Sequence, residues 1–253
     1  MASDPICLDY NATTPIDPLV AEAMLPYLHQ HFGNPSSSHA YGIAAGEAVI
    51  SARLQVAALL GAEPEEIVFT SGATESNNLG IVGYCLRNKR KGDHVVISES
   101  EHISVLNIAK WLEKNGFRVT RVPIDQFGRV SPAKLRARVT DETILVSIAW
   151  ANNEIGTVQP MTEIAELLDG SGIALHTDAV AAEGLLPIDV GGTPVDLMSL
   201  SSNDLYGPRG LGALYVRKGT RVAPLVIGGG QERGLRSGTE DVASIVGMAV
   251  AAD

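Results

Sequence analysis

The sequence predicts an α/β fold in which a mixed, mostly parallel seven-stranded sheet lies between helices. Seven short runs of apolar and β-branched residues follow one another along the chain, and most are separated by segments long enough for a helix. This alternation favours right-handed crossovers between parallel strands. Glycine, at 26 of 253 residues, punctuates the alternation. The predicted strands are 67–70, 94–98, 118–122, 144–149, 173–177, 197–200 and 212–216.

The helices are predicted from their caps and their apolar periodicity. Asp17 followed by Pro18 is typical of an N-cap and a first helical position, so a helix should begin there and run through Leu25 and Leu28. Further helices are expected at 105–114 and 161–168 and along the apolar stripe at 242–250. Another helix should end at Gly61 and place one apolar face inward, formed by Ala45, Val49, Ala52, Val56 and Leu59.

Composition excludes several classes of protein. With 45% hydrophobic and 19% charged residues, the chain is neither disordered nor a coiled coil. The net charge of −10 disfavours nucleic acid and anionic membrane surfaces as partners. Cys7 and Cys85 are too few for a disulfide framework or a metal site, so we expect no metal and a cytoplasmic location. No leader and no run of about 18 apolar residues is evident, so no membrane span is expected.

Polar clusters follow the predicted strands, where ligands bind in open α/β sheets. Any one of them alone is more often a turn or a helix cap, but five together predict a binding site. The first cluster opens a helix and offers backbone N–H groups and the Thr74 hydroxyl to an anion such as phosphate. It matches neither the Walker A nor the dinucleotide-binding pattern. The clusters are 71–76, 101–102, 152–154, Asp178 and 201–204.

Six ordered motifs make the chain resemble the cysteine desulfurases. These are pyridoxal 5′-phosphate (PLP) enzymes of aminotransferase fold type I, which release sulfur from L-cysteine for iron–sulfur cluster assembly. The resemblance implies the large domain of that fold. The motifs are LDYNATTP at 8–15, FGNPSS at 32–37, FTSGATESNN at 69–78, ANNEIG at 151–156, HTDA at 176–179 and GGGQERGLRSGT at 228–239.

The resemblance implies which residues hold the phosphate of PLP. Thr74, the backbone of Ala73, and Ser201 would bind it within one subunit. Thr239 would reach it from the partner subunit, so the chain is expected to form a homodimer with shared sites.

The resemblance also implies three contacts to the PLP ring. His102 would stack on the ring, and Asn153 would hydrogen-bond its phenolic oxygen. Asp178 would pair with the ring nitrogen and keep it protonated, which makes the ring an electron sink. The alternative for His102 is a helix-start histidine satisfied by backbone, and for Asp178 an ordinary turn carboxylate.

The family pattern changes after Ser201. The family continues with a small residue, His and the Schiff-base Lys, where this chain has Ser202, Asn203 and Asp204. Ala181 stands where the family usually has Gln. Because of these positions, Asn203 is a candidate cofactor contact, and Asp204 and His102 are candidate catalytic residues. The resemblance then implies PLP bound non-covalently or not at all, and it leaves enzymatic activity open.

The resemblance also predicts the division into domains. Residues 1–16 form an N-terminal arm, which belongs to the small domain in the family, and residues 17–253 form the large cofactor-binding domain. The C-terminal small domain, with the nucleophilic cysteine, is expected to be absent. The predicted function is a cysteine desulfurase-like protein of sulfur mobilisation, with an iron–sulfur scaffold protein as a possible partner. The alternative is a non-catalytic scaffold or partner-binding homologue that keeps the fold and the dimer surface.

Overall fold

The computed structural model describes residues 5–253, and its seven strands form one sheet. The predicted bounds hold for four strands and are shifted by one or two residues in the other three, as is usual at the ends of elements. The strands are β1 Ile67–Thr70, β2 His94–Ser98, β3 Arg118–Val122, β4 Thr143–Ser147, β5 Ala174–Asp178, β6 Leu197–Ser201 and β7 Gly212–Val216.

The strand order across the sheet is β1-β7-β6-β5-β4-β2-β3. Strand β7 is antiparallel to both of its neighbours, β1 and β6, and every other pair is parallel. Six strands therefore point the same way, and their carboxyl ends meet at one edge. The prediction of a mixed, mostly parallel seven-stranded sheet is confirmed.

Helices cover both faces of this sheet. Asp17 caps the first one by accepting a hydrogen bond from Leu19 N at 2.8 Å, and Gly61 ends the second with a φ of +64°. A π-helical segment, Asn78–Gly83, joins the third helix to the fourth. The helices are α1 Pro18–His29, α2 Ala40–Leu60, α3 Ala73–Asn77, α4 Tyr84–Asn88, α5 Ile103–Lys114, α6 Pro132–Arg136, α7 Met161–Leu168 and α8 Val242–Ala252.

Two hydrophobic cores lie on opposite faces of the sheet, because successive strand residues point to opposite sides. In β1, Phe69 packs into the core beneath α2, α7 and α8, whereas Val68 packs into the core beneath α5 and the π-helical segment. Four of the residues predicted for the inner face of α2 are buried, and Leu59 is half-buried against the same core. The result is a three-layer arrangement of helices, sheet and helices.

Helix α2 is long and apolar enough to cross a membrane by length and composition. This is weak evidence for a span, because core helices of globular proteins meet the same criteria. Here the inner face of α2 packs into the core described above.

A buried ion pair ties α2 to the segment before α8. Nη1 and Nη2 of Arg53 donate to the Glu232 carboxylate, at 2.7 and 2.6 Å, and the Glu232 side chain is 2% exposed. The same carboxylate accepts from Phe69 N at 2.9 Å. The ion pair therefore connects α2, β1 and the segment before α8.

Candidate functional site

A cavity of about 1040 Å³ lies at the carboxyl ends of five of the six co-directional strands. The loops after β1, β2, β4, β5 and β6 all contribute to its wall, as expected for a ligand site in this type of sheet. The exposed Thr239 does not line it. All the other predicted site residues do: Ala73, Thr74, His102, Asn153, Asp178, Ser201, Asn203 and Asp204.

The loop after β1 is held close to the first residue of β7. A Cβ added to Gly212 would lie 2.7 Å from the Cα of Gly72, so only glycine allows this approach. Gly72 itself has a φ of +134°, a conformation that side chains disfavour. Helix α3 begins at Ala73, and its first residues, Ala73 and Thr74, line the cavity. The first N–H groups of a helix lack partners within it. This end of the cavity suits an anion.

Glu75 stabilises the same loop. Its carboxylate accepts from Ser71 N at 2.7 Å and from Arg236 Nε at 3.0 Å. Burial opposes ionisation of Glu75, but the hydrogen bonds from Arg236 and Ser71 outweigh it and lower the pKa. The carboxylate therefore stays ionised and keeps the loop fixed.

Asp178 lies at the end of β5 and is 6% exposed. Its carboxylate accepts from Asn77 Nδ2 at 2.8 Å and from Val180 N at 3.2 Å. Burial raises its pKa, while these hydrogen bonds act in the opposite direction. A cationic N–H donor in the cavity would further stabilise the buried negative charge of this carboxylate.

His102 caps the N-terminus of α5 and also lines the cavity. Its Nδ1 accepts from Ser104 N at 3.2 Å and lies 2.8 Å from Ser104 Oγ. The backbone contact assigns the free proton to Nε2. The contact of Nδ1 with Ser104 N is the one expected for a histidine at a helix start that is satisfied by backbone. The ring nevertheless lines the cavity and remains available to a ligand.

Two buried glutamates lie behind the cavity wall. Glu183 Oε1 accepts from Ser201 N at 2.7 Å, and Glu101 Oε1 accepts from Ala149 N at 2.8 Å. In each case Oε2 is buried and has no partner among the described residues. Burial raises the pKa of Glu101 to about 8 and that of Glu183 well above 4.5.

The sequence reasoning missed Glu183, because it lies in an apolar, glycine-containing stretch and no motif marks it.

Part of the N-terminal segment, residues 10–12 and Thr14, lines the cavity. Asn11 Nδ2 donates to the carbonyl of Asn153 at 3.1 Å, and Thr13 Oγ1 donates to Asn203 Oδ1 at 2.9 Å. Thr14 Oγ1 also donates to the carbonyl oxygen of Asn203. In the sequence these residues stand out only as part of the motif at 8–15, and their contacts with Asn153 and Asn203 were not predicted.

The chemistry of the cavity suits a phosphate-bearing aromatic cation. It combines an anion-binding loop at one end with a buried carboxylate, Asp178, whose charge is incompletely compensated. Asp204 is half-buried and lines the cavity, and no lysine is present among the described lining residues. Within residues 5–253, no group of three or more His, Cys, Asp or Glu side chains could hold a metal ion.

Comparison with known proteins identifies relatives along almost the whole chain. The pattern of the family described as aminotransferase class-V matches residues 6–253. Cysteine desulfurase IscS 1 of Archaeoglobus fulgidus is 52% identical over 245 residues, which are 97% of this chain and 64% of that protein. Cysteine desulfurase IscS of Methanosarcina thermophila is 50% identical over 248 residues, 98% of this chain and 61% of that protein. The chain thus spans less than two thirds of these relatives.

Solved structures share the fold. A NifS-like protein superposes with a TM-score of 0.94 at 41% identity, over 96% of this chain and 67% of the other. The structure titled SspA in complex with cysteine has a TM-score of 0.94 at 42% identity, over 96% of this chain and 71% of the other. The large-domain fold that the resemblance implied is therefore confirmed.

Proposed function

The chain belongs to the aminotransferase class-V family, and we propose that it is a cysteine desulfurase-like protein of sulfur mobilisation and iron–sulfur cluster assembly. L-cysteine is then the substrate class, and PLP the cofactor. The observation that carries the proposal is the cavity that joins Asp178 to the anion-binding loop after β1. The names of the relatives support the same function.

Bound PLP would supply an electron sink for a carbanion next to the substrate amine. Asp178 would accept the N–H of the ring nitrogen and keep the proton there, since its burial strengthens this contact. His102 would cover the ring and shield it from water, and Asn153 would donate its amide N–H to the phenolic oxygen. The loop at Ala73 and Thr74 would bind the phosphate.

Asp204 occupies the place that corresponds to the family's Schiff-base lysine. A carboxylate cannot form that covalent bond, and it adds negative charge near a phosphate. We therefore expect PLP to bind non-covalently and weakly.

Homodimer formation is part of the proposal. Thr239 is exposed and does not line the cavity of its own chain. This position supports a contact to the partner subunit's cofactor, as the resemblance implies. An iron–sulfur scaffold protein is a further proposed partner. We also propose the division into an arm at 1–16 and a large domain at 17–253, and a cytoplasmic location.

Trapping with borohydride tests the placement of Asp204. The wild type and Asp204→Lys are incubated with PLP and reduced with borohydride, and the mass of each protein is measured by mass spectrometry. Only the lysine variant should gain the mass of PLP, and Asn203→His with Ala181→Gln should raise its yield. Asp204→Asn is the matched control and should gain nothing. An adduct in the wild type, or none in Asp204→Lys, would contradict the placement.

The missing lysine favours a second candidate, a non-catalytic homologue that keeps the fold and dimer surface. Sulfide and alanine release from L-cysteine with added PLP distinguishes the two candidates. Turnover that Asp178→Asn abolishes supports the enzyme. Absence of turnover together with stable binding of a cluster scaffold protein supports the non-catalytic homologue.

A further inference from the structure

A second cavity, of about 830 Å³, lies at the opposite end of the sheet from the first. Its wall includes Ala174 at the start of β5, Asp196 just before β6 and Arg217 just after β7. None of its lining residues lines the first cavity. It is therefore a separate site, at the amino ends of the parallel strands.

Positive charge is concentrated in this second cavity, which we call the basic cavity. Six cationic side chains and two carboxylates line it, so its formal charge is +4 in a chain whose net charge is −10. The cations are Arg87, Arg90, Lys91, Arg217, Lys218 and Arg221, and the acids are Asp169 and Asp196.

Among the described residues, no carboxylate forms a direct ion pair with these cations. Within the described part of the chain, the ion pairs involve Arg53, Arg118, Arg129 and Arg236, none of which lines the basic cavity. Asp196 accepts from Leu175 N at 2.8 Å and from Thr220 Oγ1 at 3.5 Å, and it offsets part of the charge of Arg217 without a direct ion pair.

The two cationic walls are held at a fixed spacing. One wall is the end of α4 and the turn after it, and the other is the loop after β7. Asn88 Nδ2 joins them, because it donates to Tyr84 O at 2.9 Å and to Arg221 O at 3.1 Å. Gly219, with a φ of +96°, turns the loop between Lys218 and Arg221. The walls are therefore anchored by the fold.

Arg217 forms the floor between the walls. Its Nε and Nη2 donate to the carbonyls of Val195 and Val190, both at 2.7 Å. These bonds fix the guanidinium plane and leave Nη1 without a partner among the described residues. Arginine held in this way can donate to a phosphate oxygen without losing side-chain freedom.

We propose that the basic cavity binds an anion that carries several phosphate groups. Convergent cations repel one another, and a multiply charged anion relieves that repulsion in a way that a single carboxylate does not. The volume lies within the usual range for small-ligand sites, about 300–1,000 Å³. Free oligophosphate and the phosphate chain of a nucleotide share this chemistry.

Calorimetric titration with sodium triphosphate at about 0.1 M salt tests the proposal. The double variant Lys218→Glu, Arg221→Glu should lose affinity by at least about tenfold, or 1.4 kcal/mol. The control variant Lys110→Glu, Arg138→Glu changes two exposed cations outside both cavities by the same charge and should lose less than about twofold. Circular dichroism checks that both variants fold.

Two results would overturn the proposal: no triphosphate binding to the wild type, or equal weakening by both double variants, which would reflect net charge alone. Titration with ATP identifies the source of the phosphates. Tighter binding of ATP than of triphosphate supports a nucleotide, and equal binding supports a free oligophosphate. PLP affinity should be the same in all variants, because the two cavities share no residue.

Discussion

The side-chain amide oxygen of Asn203 accepts a 2.9 Å hydrogen bond from the hydroxyl of Thr13, and this bond links the N-terminal segment to the residue next to Asp204. The next residue, Thr14, donates to the backbone carbonyl of the same asparagine. Thr13 is exposed, whereas Thr14 is 5% exposed. The two bonds should therefore contribute unequally to stability, since an unpaired carbonyl costs more where water cannot reach it.

Replacing each threonine with valine separates the two contributions. Thr14→Val should lower the free energy of unfolding by about 1–2 kcal/mol, and Thr13→Val by less than about 0.5 kcal/mol. Urea denaturation measures both, and the rate of proteolysis before Asp17 should rise more in Thr14→Val. Equal losses would show that burial of Thr14 does not decide the effect.

Glu183 should make the protein less stable as the pH rises. Burial, first of all, and the charges of Asp204 and Asp178 raise its pKa well above 4.5. The folded state then binds the proton more tightly than the unfolded chain. Stability from this group is complete below pH 4.5 and falls, by up to about 1.4 kcal/mol per pH unit, until the folded pKa is reached.

Glu183→Gln removes this dependence and keeps an oxygen that can accept from Ser201 N. The variant should be more stable than the wild type at about pH 8, and the difference should shrink towards about pH 4.5. Thermal unfolding across this range measures it. Glu166→Gln removes one exposed carboxylate from α7 as a control. A pH-independent difference for Glu183→Gln would contradict the assignment.

The pair formed by Arg53 and Glu232 should be worth far more than a surface pair. Glu232→Ala leaves a largely buried guanidinium unpaired and should cost about 3–5 kcal/mol. Asp93→Ala breaks a pair with Arg118 in which both side chains are about half exposed, and should cost less than about 1 kcal/mol. Denaturant unfolding compares them, and similar costs would show that the buried pair does not lock the loop.

Gly212→Ala should distort the phosphate end of the cavity. The new Cβ would lie 2.5 Å from Leu200 O and 2.7 Å from the backbone of Gly72, so the backbone must shift. A loss of about 1–3 kcal/mol in stability and weaker PLP binding are expected. Gly210→Ala, with φ of +81° but no atom within 4 Å, should cost only the conformational strain of about 1 kcal/mol. Unchanged PLP affinity in Gly212→Ala would argue against this loop as the phosphate site.

The sheet could be predicted from sequence because buried strands form continuous apolar runs bounded by glycine and polar residues. The run at 94–98 is buried throughout, and its bounds match β2. The location of the site could be predicted from the same runs, because polar residues begin where the apolar runs end. The contact of Thr13 with Asn203 could not be predicted, because the two residues are 190 positions apart. It depends on how the N-terminal segment packs against the loop after β6. Glu183 carried no local signal, because its hydrogen-bond partner, Ser201 N, lies 18 residues away in the sequence.

The antiparallel strand β7 has a consequence for the order in which the molecule assembles. Strand β1 lies at the edge of the sheet, and its one neighbour there is β7, with Ile67 opposite Tyr215. During synthesis, β1 leaves the ribosome long before that neighbour exists, and such distant pairing is slow. The loop of Gly72 and Thr74 can therefore take its final shape only after β7 has been made. The helices and parallel strands in between can pack first, so a ligand that needs this loop can be captured only late in folding.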